Sequence, residues 1–277
     1  MAQGISLHIG LNSVDPKHYA GWSGPLNACE ADAGDMNALA KEQGFRAILL
    51  KTKQATRVAV RNGILKAAKS LDRGDFLLVT YSGHGGQVPD FDHEEPDLKD
   101  ETWCLYDGEL IDDELYALWA KFKDGVRILV LSDSCHSGTV TKLAIASGAL
   151  NSGSLAAFGV ETPVYRFMPD EVALRTFRQN RKFYEKLGKE QPSAKVAPKA
   201  TVRLISGCQD NQVSLDGTFN GLFTGMLLRV WNDGKFKGDY SRFHKEIVKR
   251  MPSTQTPIHF MVGKPNAAYN NQQPFMI

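Results

Sequence analysis

The chain has 277 residues, of which 42% are hydrophobic and 23% are charged, and its formal net charge is +2. These values are typical of a globular protein with one large core or two modest domains, and they do not indicate a nucleic-acid or membrane-surface partner. No apolar run approaches the roughly 18 residues of a membrane-spanning helix, and residues 1–10 lack the pattern of a signal peptide. We therefore expect a cytoplasmic protein without membrane association.

The order of the predicted elements indicates an α/β fold. In the first third of the chain, three apolar runs predict strands at 5–11, 45–51 and 76–81. Amphipathic helices are predicted between them, at 26–44 and 56–71, and this alternation is typical of a parallel sheet covered by helices. Later strands are predicted at 126–131, 200–206 and 258–262, and later helices at 114–122, 221–231 and 240–249.

The segment 87–114 is strongly acidic, with twelve Asp or Glu residues and a single base, Lys99. Its first part predicts a solvated loop. Residues 102–111 predict a β-hairpin around Asp107-Gly108, a pair that favours a type I′ turn. Asp112 and Asp113 follow at the start of the next predicted helix, where carboxylates are stabilised by capping and by the helix dipole.

A second unusual segment, 161–200, is basic and predicts an exposed insertion with one helix at 170–187. Its nine basic residues are Arg166, Arg175, Arg178, Arg181, Lys182, Lys186, Lys189, Lys195 and Lys199. The chain also contains four widely spaced cysteines and no Cys-x-x-Cys pair, which predicts reduced thiols rather than a disulfide framework or a zinc site.

A thiol and an imidazole are predicted at the carboxyl ends of two buried strands, the edge where open α/β sheets carry their chemistry. Cys135 follows the strand 126–131, and His84 lies in Ser82-Gly-His-Gly-Gly86 after the strand 76–81. His136 is adjacent to the thiol but should point to the opposite side of an extended chain. His84 is therefore the better base for the thiol, and its flanking glycine amides could hold a developing oxyanion.

Two signatures resemble those of the metacaspases, within the caspase-like cysteine peptidases: Tyr81-Ser-Gly-His-Gly-Gly86 and Asp133-Ser-Cys-His-Ser-Gly138. The resemblance covers residues 5–140 well and 200–262 more loosely. It implies a caspase-like three-layer sandwich whose mostly parallel sheet has about six strands. It divides the chain into a large catalytic part at 1–140, a variable insertion at 141–200, and a small part at 201–277 that completes the same sheet. Metacaspases are generally monomeric, so a monomer is expected.

The resemblance also implies a role for each matching residue. Cys135 would be the nucleophile, His84 the general acid/base, and the N–H groups of Gly85 and Cys135 the oxyanion hole. The pocket for the substrate residue before the cleaved bond, S1, would select Arg or Lys, since fixed carboxylates suit a guanidinium group. Its matching members are Asp32, Ser82, Asp133 and Cys29. The implied function is an endopeptidase that cleaves basic peptides or proteins through a thioacyl-enzyme.

Calcium is the one cofactor that the resemblance raises. Asp100, Asp112 and Asp113 match three of the family's carboxylate ligands, but Lys142 stands where the fourth is expected. Calcium binds through six to eight oxygen atoms, so a cation at that position should weaken the site. Two interpretations stay open: a weakened calcium site, or carboxylates that only cap a helix. The chemistry itself requires no cofactor.

Three alternatives follow from the same residues. The chain could be a caspase-fold peptidase with another preference, as in legumain-like or gingipain-like enzymes, or a catalytically silent scaffold that binds partners. A zinc protein is disfavoured because the sequence has neither an HExxH motif nor a cysteine pair. Relatives often cut themselves after the nucleophile, but the sequence does not choose among the basic residues of 161–200.

Overall fold

A six-stranded sheet forms the centre of the computed structural model, which describes residues 2–90, 98–135, 164–190, 196–208, 214–217 and 219–277. The strand order is β11-β9-β7-β3-β1-β2. All neighbours are parallel except β11, which is antiparallel to β9. The strands are β1 (Gly4–Gly10), β2 (Arg46–Lys51), β3 (Phe76–Ser82), β7 (Arg127–Asp133), β9 (Thr201–Ser206) and β11 (Ile258–Gly263).

Helices cover both faces of this sheet, because the central strands are apolar on both sides. Leu77 and Val79 of β3 contribute to the core beneath one set of helices, whereas Phe76 and Leu78 contribute to the core beneath the other. The first face is covered by α2 (Arg57–Ser70) and α3 (Asp112–Trp119). The second is covered by α1 (Cys29–Glu42), α6 (Leu222–Trp231), α7 (Tyr240–Val248) and α8 (Ala267–Asn271). The predicted α/β fold with a mostly parallel six-stranded sheet is therefore confirmed.

Two smaller sheets and two further helices lie outside this sandwich. The antiparallel strands β4 (Gly85–Pro89), β5 (Lys99–Leu105) and β6 (Gly108–Ile111) form one small sheet. A two-stranded antiparallel sheet pairs β8 (Val164–Tyr165) with β10 (Leu215–Asp216). The remaining helices are α4 (Asp170–Gln179) and α5 (Arg181–Glu190).

The hairpin turn between β5 and β6 differs from its prediction. Leu105 pairs with Gly108, so the two-residue loop is Tyr106-Asp107 and not Asp107-Gly108. Neither loop residue has the positive φ that a type I′ turn needs. Contacts outside the hairpin fix the loop instead, because Asp107 Oδ1 accepts from Arg57 N and Tyr106 N donates to the Ala55 carbonyl.

The basic insertion also differs from its prediction: it contains two helices and is anchored rather than simply exposed. The break between α4 and α5 lies at Asn180, whose side-chain amide donates to the backbone carbonyl of His18. Tyr184 on α5 is fully buried, and its hydroxyl donates to Glu109 of β6 and contacts His18 Nε2 at 2.9 Å. A helical pattern predicts each helix but not these distant partners.

A buried histidine in β1 predicts how stability depends on pH. His8 is fully buried, its Nδ1 lies 3.0 Å from Thr80 Oγ1, and its pKa is lowered to about 3, first by burial and then by Lys41. The unfolded chain binds the proton near pH 6.5, so the free energy of unfolding should fall as the pH drops from about 6.5 towards 3. Between pH 7 and 4.5, His8 should contribute about 2 to 3 kcal/mol of this loss.

Urea denaturation of the wild type and of His8→Gln at pH 7 and pH 4.5 measures this contribution. We expect the variant to be less stable at pH 7 but to lose less stability on acidification. His244 is half-buried near the surface, so His244→Gln is the matched control and should keep most of the wild-type pH dependence. An equal loss on acidification in the wild type and His8→Gln would contradict the assignment.

Candidate active site

The ends of β3 and β7 bring the predicted imidazole and thiol to one place. Ser82 of β3 pairs with Asp133 of β7, and His84 and Cys135 each lie two residues beyond that pair. Both side chains are buried: Cys135 is 0% exposed and His84 is 5% exposed. The parallel register therefore places both candidate catalytic residues just beyond one pair of residues, at the carboxyl edge of the sheet.

The His84 ring is held in one orientation and one tautomer. The backbone carbonyl of His84 accepts from the Tyr81 hydroxyl at 2.6 Å and from Cys104 N at 2.9 Å. Ring Nε2 lies 3.1 Å from the carbonyl oxygen of Gly24, and because a carbonyl can only accept, Nε2 carries the proton. Nδ1 is then the basic nitrogen, and it has no hydrogen-bond partner among the described residues.

Trp22 and Gly24 enclose this ring. The Trp22 and His84 ring centroids are 4.7 Å apart. Gly24 has φ +50°, and a Cβ there would lie 2.7 Å from the Trp22 ring and 3.0 Å from the His84 ring. Glycine is therefore required at this position. Burial lowers the pKa of His84 to about 4, although the backbone of Gly24 and Phe167 and the charge of Asp216 act in the opposite direction.

Cys135 contacts Ser214 and the peptide group of Arg166, not His84. Ser214 N donates to Cys135 Sγ, and Sγ lies 3.6 Å from the Ser214 carbonyl oxygen. Cys135 N donates to the Arg166 carbonyl oxygen at 2.9 Å, and Gly85 N donates to the same oxygen at 3.0 Å. The two N–H groups predicted as an oxyanion hole therefore converge on one carbonyl oxygen, which is the arrangement such a hole requires.

The side chain of Arg166 fills the predicted S1 pocket. Its Nη2 lies 2.8 Å from Asp32 Oδ2 and 2.8 Å from Asp216 Oδ1, and its Nη1 lies 3.0 Å from Asp133 Oδ2. Nη1 also donates to Ser82 Oγ at 2.8 Å. All five residues are buried, so this is a desolvated cluster of one guanidinium and three carboxylates.

Each pocket carboxylate also accepts backbone N–H groups at the start of a helix. Asp32 Oδ1 accepts from Gly221 N at 2.9 Å, and Asp133 Oδ2 accepts from Thr224 N at 3.1 Å, both at the beginning of α6. Asp216 accepts from the backbone N–H groups of Asn27 and Ala28, where α1 begins. These helices have no capping side chain of their own at their N-caps. The carboxylates therefore satisfy the helix starts and gain support from the helix dipoles.

Burial and neighbouring charges together set the protonation states in the pocket. Burial raises the pKa of Asp32, although Arg166 opposes that rise. Burial would lower the pKa of Arg166, but the carboxylates, Asp133 above all, hold it well above its usual range, so the guanidinium stays charged. Burial also raises the pKa of Cys29, which therefore lies beside the pocket as a neutral thiol.

Sequence reasoning missed four contributors to this site. Arg166 is only one of nine basic residues in its segment, and Asp216 and Ser214 follow a stretch without a recognisable motif. Gly24 lies in a loop that is rich in glycine and proline. Of these four residues, only Asp216 could have been sought from the sequence, because a pocket for arginine favours a further carboxylate. His136, which was predicted to face away from the site, lies outside the described residues.

The structure describes three of the four positions predicted for a calcium site. Asp100 lies on β5, and Asp112 and Asp113 open α3. In the part of the chain that the structure describes, no group of three or more His, Cys, Asp or Glu side chains could hold a metal ion. The fourth position, Lys142, lies outside the described residues. The calcium site therefore stays a prediction, and no chemical step depends on it.

Comparison with known proteins identifies the family that the chain matches. Residues 14–274 match the Caspase domain family, Peptidase C14. The chain is similar to Metacaspase-1 of Kluyveromyces lactis, with 30% identity over 254 residues, which cover 80% of this chain and 56% of that protein. Metacaspase-1B of Aspergillus oryzae is also 30% identical, over 248 residues, covering 80% of this chain and 58% of that protein. The chain thus spans less than two thirds of the length of these relatives.

A solved structure is similar over nearly the whole chain. The crystal structure of protein GSU0716 from Geobacter sulfurreducens has 56% sequence identity and a TM-score of 0.88, and the match covers 99% of both chains. The caspase-like sandwich predicted from the sequence is therefore confirmed. Within the described ranges, none of the helices combines the length and apolar character needed to cross a membrane.

The enclosure of His84 predicts a measurable titration. In the Cys135→Ala variant, with Arg166 in the pocket, the His84 side chain should titrate near pH 4, and its neutral form should be the Nε2–H tautomer. Trp22→Ala admits water to one face of the ring and should raise this pKa towards the ordinary value of about 6.5. Trp22→Phe keeps an aromatic cover and serves as the control, with a pKa close to that of the parent. Nitrogen-15 NMR of labelled histidine reports both quantities, and an unchanged pKa in Trp22→Ala would show that Trp22 does not cause the shift.

Proposed function

Because the chain belongs to the Caspase domain family of peptidases, Peptidase C14, we propose that it is a cysteine endopeptidase that cleaves after Arg or Lys. The observation that carries this specificity is the Arg166 side chain bound among three buried carboxylates, with its carbonyl oxygen between two N–H donors. A substrate arginine in the same position would satisfy the same groups. Protein or peptide substrates follow from the family, and the basic preference follows from the pocket.

The proposed chemistry uses His84 and Cys135 as a dyad. Nδ1 of His84 is the unprotonated nitrogen and is free to take the thiol proton, while Gly24 holds the opposite nitrogen. Nucleophilic catalysis needs a nucleophile, a base and a group that orients the base, and the carbonyl of Gly24 supports the third role. Proton transfer would require Nδ1 to come within hydrogen-bond distance of Sγ, which contacts Ser214 in this structure. The N–H groups of Gly85 and Cys135 would stabilise the oxyanion of the tetrahedral intermediate.

The pocket geometry favours arginine over lysine and strongly disfavours acidic residues. Nε and both Nη atoms of Arg166 each have an oxygen partner, and a lysine ammonium cannot reach all of these directions from one point. A substrate aspartate that displaced Arg166 would place its carboxylate next to three others. Arg166 is the only cation described in the pocket, and it would be gone. These contacts support a basic preference over the alternative of a caspase-fold peptidase that prefers Asp or Asn.

A fluorogenic peptide panel tests the specificity. Because Arg166 fills the pocket, the panel is run on Arg166→Gln as well as on the wild type, with Arg, Lys, Asn or Asp before the cleaved bond. We expect cleavage after Arg and, more slowly, after Lys. In the Arg166→Gln background, Asp32→Asn and Asp216→Asn should each lower kcat/KM for the Arg peptide about ten- to hundredfold, since a hydrogen bond to a charged group contributes ~1.5–3 kcal/mol.

Glu42→Gln is the matched control, because it removes one carboxylate from the exposed end of the same helix as Asp32 and should leave kcat/KM unchanged. Faster cleavage after Asp or Asn would overturn the pocket assignment. A catalytically silent scaffold is tested separately: an arginine chloromethylketone should label Cys135 covalently in Arg166→Gln, and the Cys135→Ala variant should not react. Absence of both labelling and turnover would support the scaffold.

A further inference from the structure

A second network of buried side chains, outside the carboxylate pocket, joins β6, α5 and the loop between β1 and α1. Glu109 Oε1 accepts from Thr102 Oγ1 at 2.9 Å, and Glu109 Oε2 accepts from the Tyr184 hydroxyl. The Tyr184 oxygen in turn lies 2.9 Å from Nε2 of His18, a residue of the loop. Glu109, Thr102 and Tyr184 are all buried. We call this series of contacts the Glu109–Tyr184–His18 network.

The donors and acceptors of this network fit in one order when Glu109 is ionised. A carboxylate can only accept, so the single hydroxyl hydrogen of Tyr184 is directed to Glu109. The Tyr184 oxygen is then an acceptor, and His18 Nε2 must carry the hydrogen that it receives. A hydrogen bond to an ionised group is roughly twice as strong as a neutral one. The charge of Glu109 therefore tightens the hold on Tyr184 and, through it, on the His18 ring.

The His18 ring is also the first of four rings that lead to the candidate base. Its centroid lies 5.0 Å from that of Tyr19, which lies 6.1 Å from that of Trp22, and Trp22 lies 4.7 Å from His84. The same loop supplies the Gly24 carbonyl oxygen, which lies 3.1 Å from His84 Nε2. A displacement of His18 would therefore reach both groups that hold the imidazole, its aromatic cover and its orienting carbonyl.

We propose that Glu109 and Tyr184 are positioning residues for the candidate base His84, and that they act by holding His18 and the loop between β1 and α1 in place. The proposal rests on the proposed function, because His84 needs an exact orientation only if it transfers a proton. Asn180 Nδ2 donates to the His18 carbonyl at 2.8 Å. The insertion therefore contacts both the backbone and the ring of this one residue.

Glu109 is an unfavourable choice if it serves only the stability of the fold. Burial raises its pKa to about 7, although the hydrogen bonds from Tyr184 and Thr102 and the charge of Arg57 act in the opposite direction. A glutamine would fill the same volume without a buried charge, whose desolvation is costly. Near neutral pH, ionisation of Glu109 therefore changes the strength of its hydrogen bond to Tyr184.

The neighbours of Glu109 keep one charge state across this pH range. The titratable groups that face it are Cys104 of β5, Tyr184 of α5, His18 and Tyr19 of the loop, and Arg57 of α2, which is paired with Glu114 of α3. Burial holds the pKa of the thiol and of both phenols well above the usual range. Burial also lowers the pKa of the His18 imidazole to about 4, and an arginine stays charged. A change in the network near pH 7 would therefore report on Glu109.

NMR of the Cys135→Ala variant tests the hold on the loop without any turnover. The indole N–H resonance of Trp22 should shift with a midpoint near pH 7, because ionisation of Glu109 tightens the network. Glu109→Gln keeps the shape of the side chain but cannot ionise, so this step should disappear. Tyr184→Phe should also remove the step, and it should raise the pKa of His84 from about 4 towards its ordinary value because the ring is less closely covered.

Peptide hydrolysis in the Arg166→Gln background tests the catalytic consequence. Tyr184→Phe should lower kcat for the Arg peptide about tenfold or more, since a small displacement of a catalytic group costs up to ~100-fold. KM should stay nearly unchanged, because the carboxylate pocket is intact. Glu109→Gln should lower kcat less, because its amide oxygen still accepts from Tyr184. Tyr116→Phe is the matched control: it removes a hydroxyl from a half-buried residue of α3, outside the network, and should leave all three readouts unchanged.

The outcomes separate this proposal from the proposed function. If Tyr184→Phe leaves both the pKa of His84 and kcat unchanged, or if it raises KM alone, the network does not position the base and the proposal is wrong. A Trp22 step near pH 7 that persists in Glu109→Gln would also overturn it. If the NMR changes appear as expected but the Arg166→Gln protein hydrolyses no peptide, the proposed function fails, whereas the hold of the network on the imidazole stands.

Discussion

The buried ion cluster around Arg166 is the interaction on which the site depends. One guanidinium contacts Asp32, Asp133 and Asp216, and all four side chains are out of water. Burial costs several kcal/mol for each ion unless the remaining lone pairs find donors. The starts of α1 and α6 supply those donors as backbone N–H groups, so the pocket and the two helix starts stabilise one another. Loss of a pocket carboxylate would therefore also leave a helix start without its cap.

The register between β3 and β7 fixes the position of the carboxylate pocket relative to the candidate catalytic residues His84 and Cys135. The paired residues Ser82 and Asp133 both contact Arg166. His84 lies two positions after Ser82, and Cys135 lies two positions after Asp133. A slip by one residue would turn every side chain to the opposite face of the sheet. The apolar residues of both strands pack in separate cores on the two faces, so the hydrophobic core enforces the register that aligns the pocket with His84 and Cys135.

The sequence was sufficient for features encoded locally and insufficient for those that join distant segments. Continuous apolar runs predicted the strands, and the two signatures located His84 and Cys135 at their ends. Asp216 could not be found in this way, because its role depends on chain pairing with a segment about fifty residues away. The amphipathic pattern of the insertion predicted a helix. It did not predict that Tyr184 is buried, because the Tyr184 hydroxyl donates to Glu109, which lies on a strand about 75 residues earlier in the chain. Long-range pairing of this kind leaves no periodic signal in the sequence.

Occupation of the pocket by Arg166 and the proposed selection of a basic substrate have the same electrostatic origin. With Arg166 in place, burial already raises the pKa of Asp32, so removal of the guanidinium would leave three carboxylates in mutual repulsion. Water entry or proton uptake would relieve part of that repulsion, and an incoming arginine would relieve more of it. Besides burial, the charge of Arg166 also contributes to lowering the pKa of His84 to about 4, so its departure would raise that pKa towards neutral pH, where a general base is effective. The single charge of Arg166 thus acts on both the carboxylates of the pocket and the imidazole of His84, and its removal would change the electrostatics of both together.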